Sequence, residues 1–377
     1  MRVAIVYRVL QEWRAPVFSR LAKHEKVTDF KVFYGCDFVG TKVVSTKSAL
    51  DFDAEKMRSI PIRIPSGKGQ ALTPLSPFLF FSLIRFRPDV VICEGASNFI
   101  NNIFVFLYCL FFRVPMVQWG LGEIRGTQKS TLRKLLDILI VPIEKRAKAV
   151  VSYSSVGKKY YMSLGLPEKS IFVAVNVVDT EKRLAEIAAL NSVVTAKNDG
   201  LHVIFVGALE VNKKVDVLLK AFSILQHSYP NAQLTIVGDG HARSSLQLFA
   251  EELKITNCTF TGKVFDGVSR YFLAADVFVL PGLGGLAVSD ALVHGLPVIC
   301  TIGDGCEVDL IQNNINGVVD DALDEHAIAT YLQELAANPL KLAQMKEAAK
   351  GSLGRYNIAN YVSQVIEAAN YAVTKKG

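Results

Sequence analysis

The sequence predicts an α/β protein made of two doubly wound parallel-sheet domains. Three observations predict it. Short apolar runs alternate with helical segments along the chain, the pattern of a parallel sheet covered on both faces. The alternation restarts near residue 200, after the polar turn Lys197-Asn198-Asp199-Gly200. The length, 377 residues, divides by roughly 150 residues per domain into two domains rather than one.

The elements follow in order. Residues 2–7 and 30–34 read as strands on either side of a helix at 15–23. Pro88 and Asp89 precede residues 90–93, a continuous apolar run of the buried-strand type. An apolar helix at 101–112 leads to a strand at 115–119 that ends in Gly120-Leu121-Gly122. A long amphipathic helix at 131–147 and strands at 149–153 and 171–175 complete the first series. In the second series, strands are expected at 202–206, 233–237, 258–261, 277–280 and 298–300. Helices are expected at 215–227, 242–253, 268–274, 287–294, 323–338 and 339–351. The expected domains are 1–180 and 181–356, with a terminal helix at 357–377 that can cross back to the first. Two such domains predict a cleft between them, with ligands outside the carboxyl ends of the strands.

Composition excludes several classes. Half the residues are hydrophobic and 20% are charged, which is not the composition of a disordered chain. The longest uninterrupted apolar run, 103–112, is too short for a membrane-spanning helix, which needs about 20 residues. Six cysteines without a CxxC pair, and a start that reads as a strand rather than a secretion signal, lead us to expect reduced thiols in a cytoplasmic protein. Residues 1–179 carry 26 Lys and Arg against 14 Asp and Glu, net +12, whereas residues 180–377 carry 16 against 21, net −5. A basic half rich in Phe and Leu suggests an anionic partner, membrane lipid or nucleic acid. No aromatic–basic recognition motif supports nucleic acid, so no nucleic-acid partner is expected.

Three strand-end loops of the second series carry the candidate chemistry. Pro281-Gly282-Leu283-Gly284-Gly285-Leu286 precedes a helix containing Asp290. Glycines let backbone approach a ligand, helix N-terminal N–H groups suit phosphate, and an acid there can accept from a ribose diol. The bland reading is a tight turn with a solvated Asp. The second loop, 207–214, carries Lys213 and Lys214, a pair suited to a diphosphate leaving group or simply to solvent. Gly238-Asp239-Gly240 is a lone GxG, favoured as a structural turn. In the first series, Glu94 and Asn98 follow one strand, and Glu123 and Arg125 follow the strand ending at Trp119; each can reach a ligand or merely cap. The segment from Arg125 through Lys148 mixes basic residues with Leu and Ile, and 78–84 adds an apolar stretch; both suit a lipid surface or a packed core. The six histidines make no HExxH pattern, and Asp51 and Asp53 read as solvated, so no metal and no cofactor are expected.

Taken together, these residues resemble the retaining GT-B glycosyltransferases of the family 4 type, whose two domains are Rossmann-like and face a central cleft. The likeness covers Val206-Gly207-Ala208-Leu209 with Lys213, then Ile236-Val237-Gly238-Asp239-Gly240 and Phe260-Thr261-Gly262. It continues through Ala275-Asp276-Val277-Phe278 and residues 284–297, and ends with Glu307 and Asn316-Gly317. In the first half it is looser: Tyr7-Arg8, the Trp13-Arg14-Ala15-Pro16-Val17-Phe18 segment, and Val175-Asn176-Val177-Val178-Asp179.

The resemblance implies a UDP- or GDP-linked sugar donor on the C-terminal domain and a glycan or lipid-linked acceptor on the N-terminal one. It implies that Lys213 contacts the donor diphosphate and is the catalytic cation, with Lys214 beside it. Gly207, Gly238, Gly282, Gly284, Gly285 and Leu286 would line the donor, and Asp290 would hold the ribose. Arg14, Glu94, Asn98, Trp119, Glu123, Arg125 and Asn176 would lie on the acceptor side or in the cleft. Front-face attack would let the departing diphosphate take the acceptor proton, leaving the protein to position and to stabilise charge. Two departures stand out: the first acid of the family's Glu-x7-Glu pattern falls at Gly282, and the usual arginine after the strand glycine is Ala208. The expected function is a glycosyltransferase of surface polysaccharide or lipopolysaccharide synthesis, peripheral on the inner face of a bacterial membrane. The alternatives are a non-catalytic sugar-nucleotide-binding protein and a nucleotide-sugar 2-epimerase.

Overall fold

Short runs of β-branched and aromatic residues become strands wherever helices cover both of their faces. The structure, a computed structural model, describes all residues except 39, 40, 42, 67, 68, 123–130, 191–199, 265, 376 and 377. They fall into two units, Met1–Val175 with Ala359–Gly377, and Asn176–Ile358. The division comes five residues earlier than the expected 180/181 boundary, and most of the terminal helix groups with the first unit.

The first unit begins with β1 (Arg2–Tyr7), α1 (Ala15–Ala22), β2 (Asp29–Tyr34) and β3 (Ala54–Lys56). Pro16 sits in the first turn of α1, where its missing N–H costs nothing. A hairpin follows, β4 (Ile60–Ser66) and β5 (Gly69–Leu75), antiparallel and separate from the main sheet. Then come α2 (Leu79–Phe86), β6 (Val90–Glu94), α3 (Phe99–Phe112), β7 (Met116–Gly120) and α4 (Thr131–Lys145). β8 (Ala149–Ser152), α5 (Ser155–Ser163) and β9 (Ile171–Val173) end the series. The Ser154 hydroxyl caps α5 by accepting from the Gly157 N–H at 3.1 Å. The seven strands are parallel in the order β3-β2-β1-β6-β7-β8-β9. Their apolar runs are buried: Val3 to Tyr7, Val90 to Cys93 and Ala149 to Val151 all lie in the core.

The second unit contains α6 (Thr180–Leu190), β10 (His202–Val206), α7 (Val215–Ser228), β11 (Gln233–Val237) and α8 (Arg243–Glu252). β12 (Cys258–Gly262), α9 (Ser269–Ala274), β13 (Val277–Leu280), α10 (Ala287–Val293) and β14 (Val298–Cys300) follow. α11 (Cys306–Leu310), β15 (Gly317–Val319), α12 (Glu325–Ala337) and α13 (Pro339–Gly351) come next, and α14 (Ile358–Thr374) starts at the unit's last residue. Asp324 caps α12 at 2.8 Å and Asn338 caps α13 at 3.0 Å, so both starts are fixed by side-chain acceptors. The six strands are parallel in the order β12-β11-β10-β13-β14-β15.

Each sheet has a point where strand order reverses, and there the loops diverge to leave a crevice at the strands' carboxyl ends. In the first unit that point lies between β1 and β6; in the second it lies between β10 and β13. Among the described residues, no helix is long and apolar enough to cross a membrane.

Candidate functional site

The reversal point of the second sheet sets the loop after β10 beside the loop after β13. Leu283 N–H donates to Asn212 O at 2.9 Å, which ties the two loops backbone to backbone. Lys213, half-buried, reaches across: its ammonium donates to Leu283 O and, at 2.9 Å, to Gly284 O. The N–H groups of Gly284 and Gly285 donate to no partner among the described residues. A cation beside two unspent amides, at the carboxyl ends of neighbouring parallel strands, suits an anion.

The third loop packs behind the second. Leu209 N–H donates to Asp239 O at 3.0 Å, and His241 lies 2.8 Å from Glu210. Gly238 backs onto Gly207, whose carbonyl leaves no space for a side chain at 238. Lys214 is exposed and starts α7 with φ 51.

The structure supplies the reason for the missing acid. A Cβ at Gly282 would lie 2.3 Å from Asn212 O and 2.4 Å from the Lys213 carbonyl carbon. The loop that carries the lysine therefore fills the place a glutamate at 282 would need. An acid does arrive at the glycine loop, from α11. Glu307 is buried, with one carboxylate oxygen 1.6 Å from where a Cβ on Gly284 would sit. Gly305 N–H donates to that carboxylate at 2.9 Å. Burial, with the charge of Asp304 adding to it, pushes the Glu307 carboxyl up to about 7, while backbone N–H groups oppose.

Asp290, in the first turn of α10, is 6% exposed and held from the side. Arg183 of α6 donates from Nε to Oδ1 at 2.9 Å and from Nη2 to Oδ2 at 3.0 Å. The same guanidinium donates to Glu186 at 2.8 Å, and the Ser269 hydroxyl donates to Glu186 at 2.8 Å. Burial pushes the Asp290 carboxyl up and Arg183 pulls it down. His294 stacks on Phe272 at 4.8 Å, with Nδ1 2.7 Å from Asp290 O. Sequence reasoning missed Arg183, which no local motif marks and which lies 107 residues from its partner. It also gave Glu307 no role beyond membership of the matching segment.

Asn176, half-buried, lies in the second unit with its backbone near the Cys306 thiol.

In the first unit the reversal point joins Arg8 to Glu94. Arg8 N–H donates to one Glu94 oxygen at 2.6 Å, and the Ser97 hydroxyl donates to the other at 2.7 Å. Asn98 is fully buried; its Oδ1 accepts from Asn101 at 2.9 Å, and its Nδ2 has no partner among the described residues. Arg14 and Trp119, expected on the acceptor side or in the cleft, are buried. The Arg14 guanidinium donates to the hydroxyls of Tyr361 (2.6 Å), Tyr7 (3.2 Å) and Tyr153 (3.2 Å), and lies over the Trp119 ring at 5.1 Å. Trp119 Nε1 donates to the same Tyr361 hydroxyl at 3.1 Å. Tyr361 comes from α14, so this aromatic cage fastens the terminal helix to the first sheet. Glu123 and Arg125 lie outside the described residues. A polar cavity of about 520 Å³, lined by Asn231, Gln233, Thr235, Asn257 and Thr259, opens at the amino end of β11, at the other end of the sheet from the three loops.

The fold is that of the GT-B glycosyltransferases. HepE of Anabaena in complex with UDP superposes with TM-score 0.73 at 15% identity, over 97% of this chain and 99% of that one. The lipopolysaccharide outer core galactosyltransferase WaaB, in its apo form, gives TM-score 0.69 at 16% identity, over 98% and 99%. Residues 188–352 match the family model for glycosyl transferases, group 1. An uncharacterized glycosyltransferase of Haemophilus influenzae is 27% identical over 173 residues, 45% of this chain and 49% of that protein. The GDP-mannose-dependent alpha-(1-6)-phosphatidylinositol monomannoside mannosyltransferase of Mycolicibacterium smegmatis is 29% identical over 160 residues, 39% of this chain and 42% of that protein. The chain thus spans about half or less of the length of these curated relatives.

Proposed function

We propose that the chain is a glycosyltransferase moving a sugar from a nucleotide-sugar donor to a glycan or lipid-linked acceptor. The donor is held by the second unit and the acceptor by the first. The observation that carries this reading is the Lys213 ammonium beside the unspent Gly284 and Gly285 amides. The diphosphate would draw the ammonium from the loop carbonyls and accept from both amides. As the glycosidic bond to phosphate breaks, the developing charge meets a preorganised cation, so the reading needs no metal. Asp290, held by Arg183, would accept from the ribose hydroxyls. Retention of configuration and a place in surface polysaccharide or lipopolysaccharide synthesis rest on the sequence resemblance and on neighbours such as WaaB. The net +12 of residues 1–179 supports work at the anionic inner face of a membrane.

The test is donor binding and slow donor hydrolysis across UDP-, GDP-, ADP- and dTDP-sugars, wild type beside Lys213→Ala. Both UDP and GDP belong in the screen, since the relatives' names include each. One nucleotide series should bind. Lys213→Ala should cut sugar release by about 100-fold or more, as expected for losing one charge-stabilising donor. Release that survives unchanged would remove Lys213 from its role. A non-catalytic nucleotide-sugar-binding protein is the second reading, favoured by the absence of an acid at Gly282. Tight binding without release, with or without lipid-linked acceptors, would support it.

A further inference from the structure

Three consecutive helices of the first unit each turn an apolar stripe outward. On α2 and α3 the stripe is aromatic: Phe78 is 56% exposed, Phe81 65%, Leu110 60%, Phe111 70% and Phe112 48%. The two helices adjoin through Phe80, whose ring lies 6.5 Å from Phe111 and 6.3 Å from Phe112. At about 200 Å² per fully exposed phenylalanine, the four exposed rings alone present about 480 Å². That is in the range of the largest apolar patch on a typical monomer, which is often functional. α4 packs on α3, with Arg146 over the Phe106 ring at 5.9 Å, and shows Leu135, Ile138 and Leu139 outward. Core demand does not explain these side chains, because the inward faces of the same helices already fill the core with Leu79, Leu83, Val105, Tyr108 and Ile140.

Topology puts a row of cations along one margin of this face. β6, β7 and β8 are adjacent and parallel, so α2, α3 and α4 each run back to the amino end of the next strand. Their C-terminal ends therefore line up along one edge. Arg85 and Arg87 stand at the end of α2, Arg113 at the end of α3, and Lys145, Arg146 and Lys148 at the end of α4, all exposed. α2 and α3 contain no acid. The nearest carboxylates are Glu55, which meets Arg85 at 2.9 Å, Asp89 after α2, and Asp137 and the buried Glu144 on α4.

We propose that the α2–α3–α4 face is a bilayer-docking surface, its aromatic stripe entering the acyl boundary and its cation row meeting anionic headgroups. α3 has 14 residues, too short to span, so the helices lie in the plane of the interface. Six cations, one of them paired with Glu55, stand beside an aromatic stripe whose two helices carry no acid, and anionic lipid matches both features. The proposal deepens the reading of a membrane-bound acceptor, and rests on it only for its biological purpose.

The test is flotation with phosphatidylcholine vesicles, with and without phosphatidylglycerol, using the whole chain. Wild type should float with anionic vesicles and far less with neutral ones. Phe81→Ser with Phe111→Ser should cut the bound fraction at least tenfold while the protein stays folded by circular dichroism. Arg113→Glu with Arg146→Glu should abolish the preference for phosphatidylglycerol. Donor binding, a property of the second unit, should be untouched by either pair. Wild type that stays in solution with both vesicles overturns the proposal, as does a Phe81/Phe111 variant that floats undiminished. A concentration-dependent dimer that the same variant abolishes, without flotation, assigns the face to a second copy instead. Flotation and nucleotide binding are read separately, so this surface and the transferase reading fail independently.

Discussion

Placing an acid at 282, where the family that the sequence resembles carries one, should damage this protein. Gly282→Glu would recreate the Glu-x7-acid spacing with Asp290, yet its Cβ would lie 2.3 Å from Asn212 O and 2.4 Å from the Lys213 carbonyl carbon. Both obstacles are backbone, so neither can swing away as a flexible side chain would. The minimal variant, Gly282→Ala, isolates the clash from the charge. Relief requires the 211–213 loop to move off the glycine loop, which breaks the bond from Leu283 N–H to Asn212 O and displaces the Lys213 ammonium. Overpacking of this kind costs about 2 kcal/mol, which for a unit of this size lowers the melting temperature by roughly 4–8 °C. If the displaced loop must be drawn back to bind the diphosphate, affinity falls by about 30-fold for the same energy. Differential scanning calorimetry and titration with the nucleoside diphosphate selected in the donor screen measure the two effects. A Gly282→Ala protein as stable as wild type, or a Gly282→Glu protein with better donor binding or turnover, would refute the packing argument.

Other perturbations test the remaining parts of both units. Arg183→Ala leaves Asp290 buried without its cation and should cost about 3–5 kcal/mol, whereas Arg183→Leu with Asp290→Asn should recover most of it; equal losses in urea unfolding would deny the coupling. Glu307 in the folded chain titrates near 7 against 4.5 for a free carboxyl, so the folded state holds its proton more tightly. Its contribution to stability is complete below about pH 4.5 and fades as pH rises to about 7. By linkage this amounts to about 3 kcal/mol. Glu307→Gln should flatten that slope in unfolding curves taken across the window, and an unchanged slope would place the titration elsewhere. Arg14→Ala removes the donor shared by three buried tyrosine hydroxyls and should destabilise the first unit by about 3 kcal/mol. Faster amide exchange in α14, which the cage fastens through Tyr361, is the accompanying sign; unaltered exchange there would mean the helix is held by other contacts.

Much of the secondary structure is legible in the sequence because a buried parallel strand leaves a local signature. The runs at 90–93, 203–206 and 277–280 are apolar on both faces, and each becomes a central strand. The β4–β5 hairpin escapes this reading because Pro61, Pro65 and Pro74 interrupt its strands. A two-stranded ribbon has only edges, where a missing N–H is tolerated, so it can carry the proline that a central strand cannot. The stripe at 78–84 is legible as apolar but not as inward or outward, and the helix does both: Leu79 and Leu83 face the core, Phe78 and Phe81 face out.

By itself the sequence determined that two doubly wound sheets form and that their strand-end loops carry two lysines and three glycines, with an acid in the helix that follows the glycines. Those are consequences of local period and residue type, which neighbouring residues settle among themselves. Only the tertiary structure decided that strands β10 and β13, more than seventy residues apart, lie side by side. That adjacency sets Lys213 on the glycine loop, leaves no room for an acid at 282, and brings Glu307 against Gly284. It likewise decided that Arg183 holds Asp290 and that Arg14 is an interior clamp. Strand order and helix packing are chosen by burial across the whole unit, and a pairing between distant side chains exists only once that choice has been made.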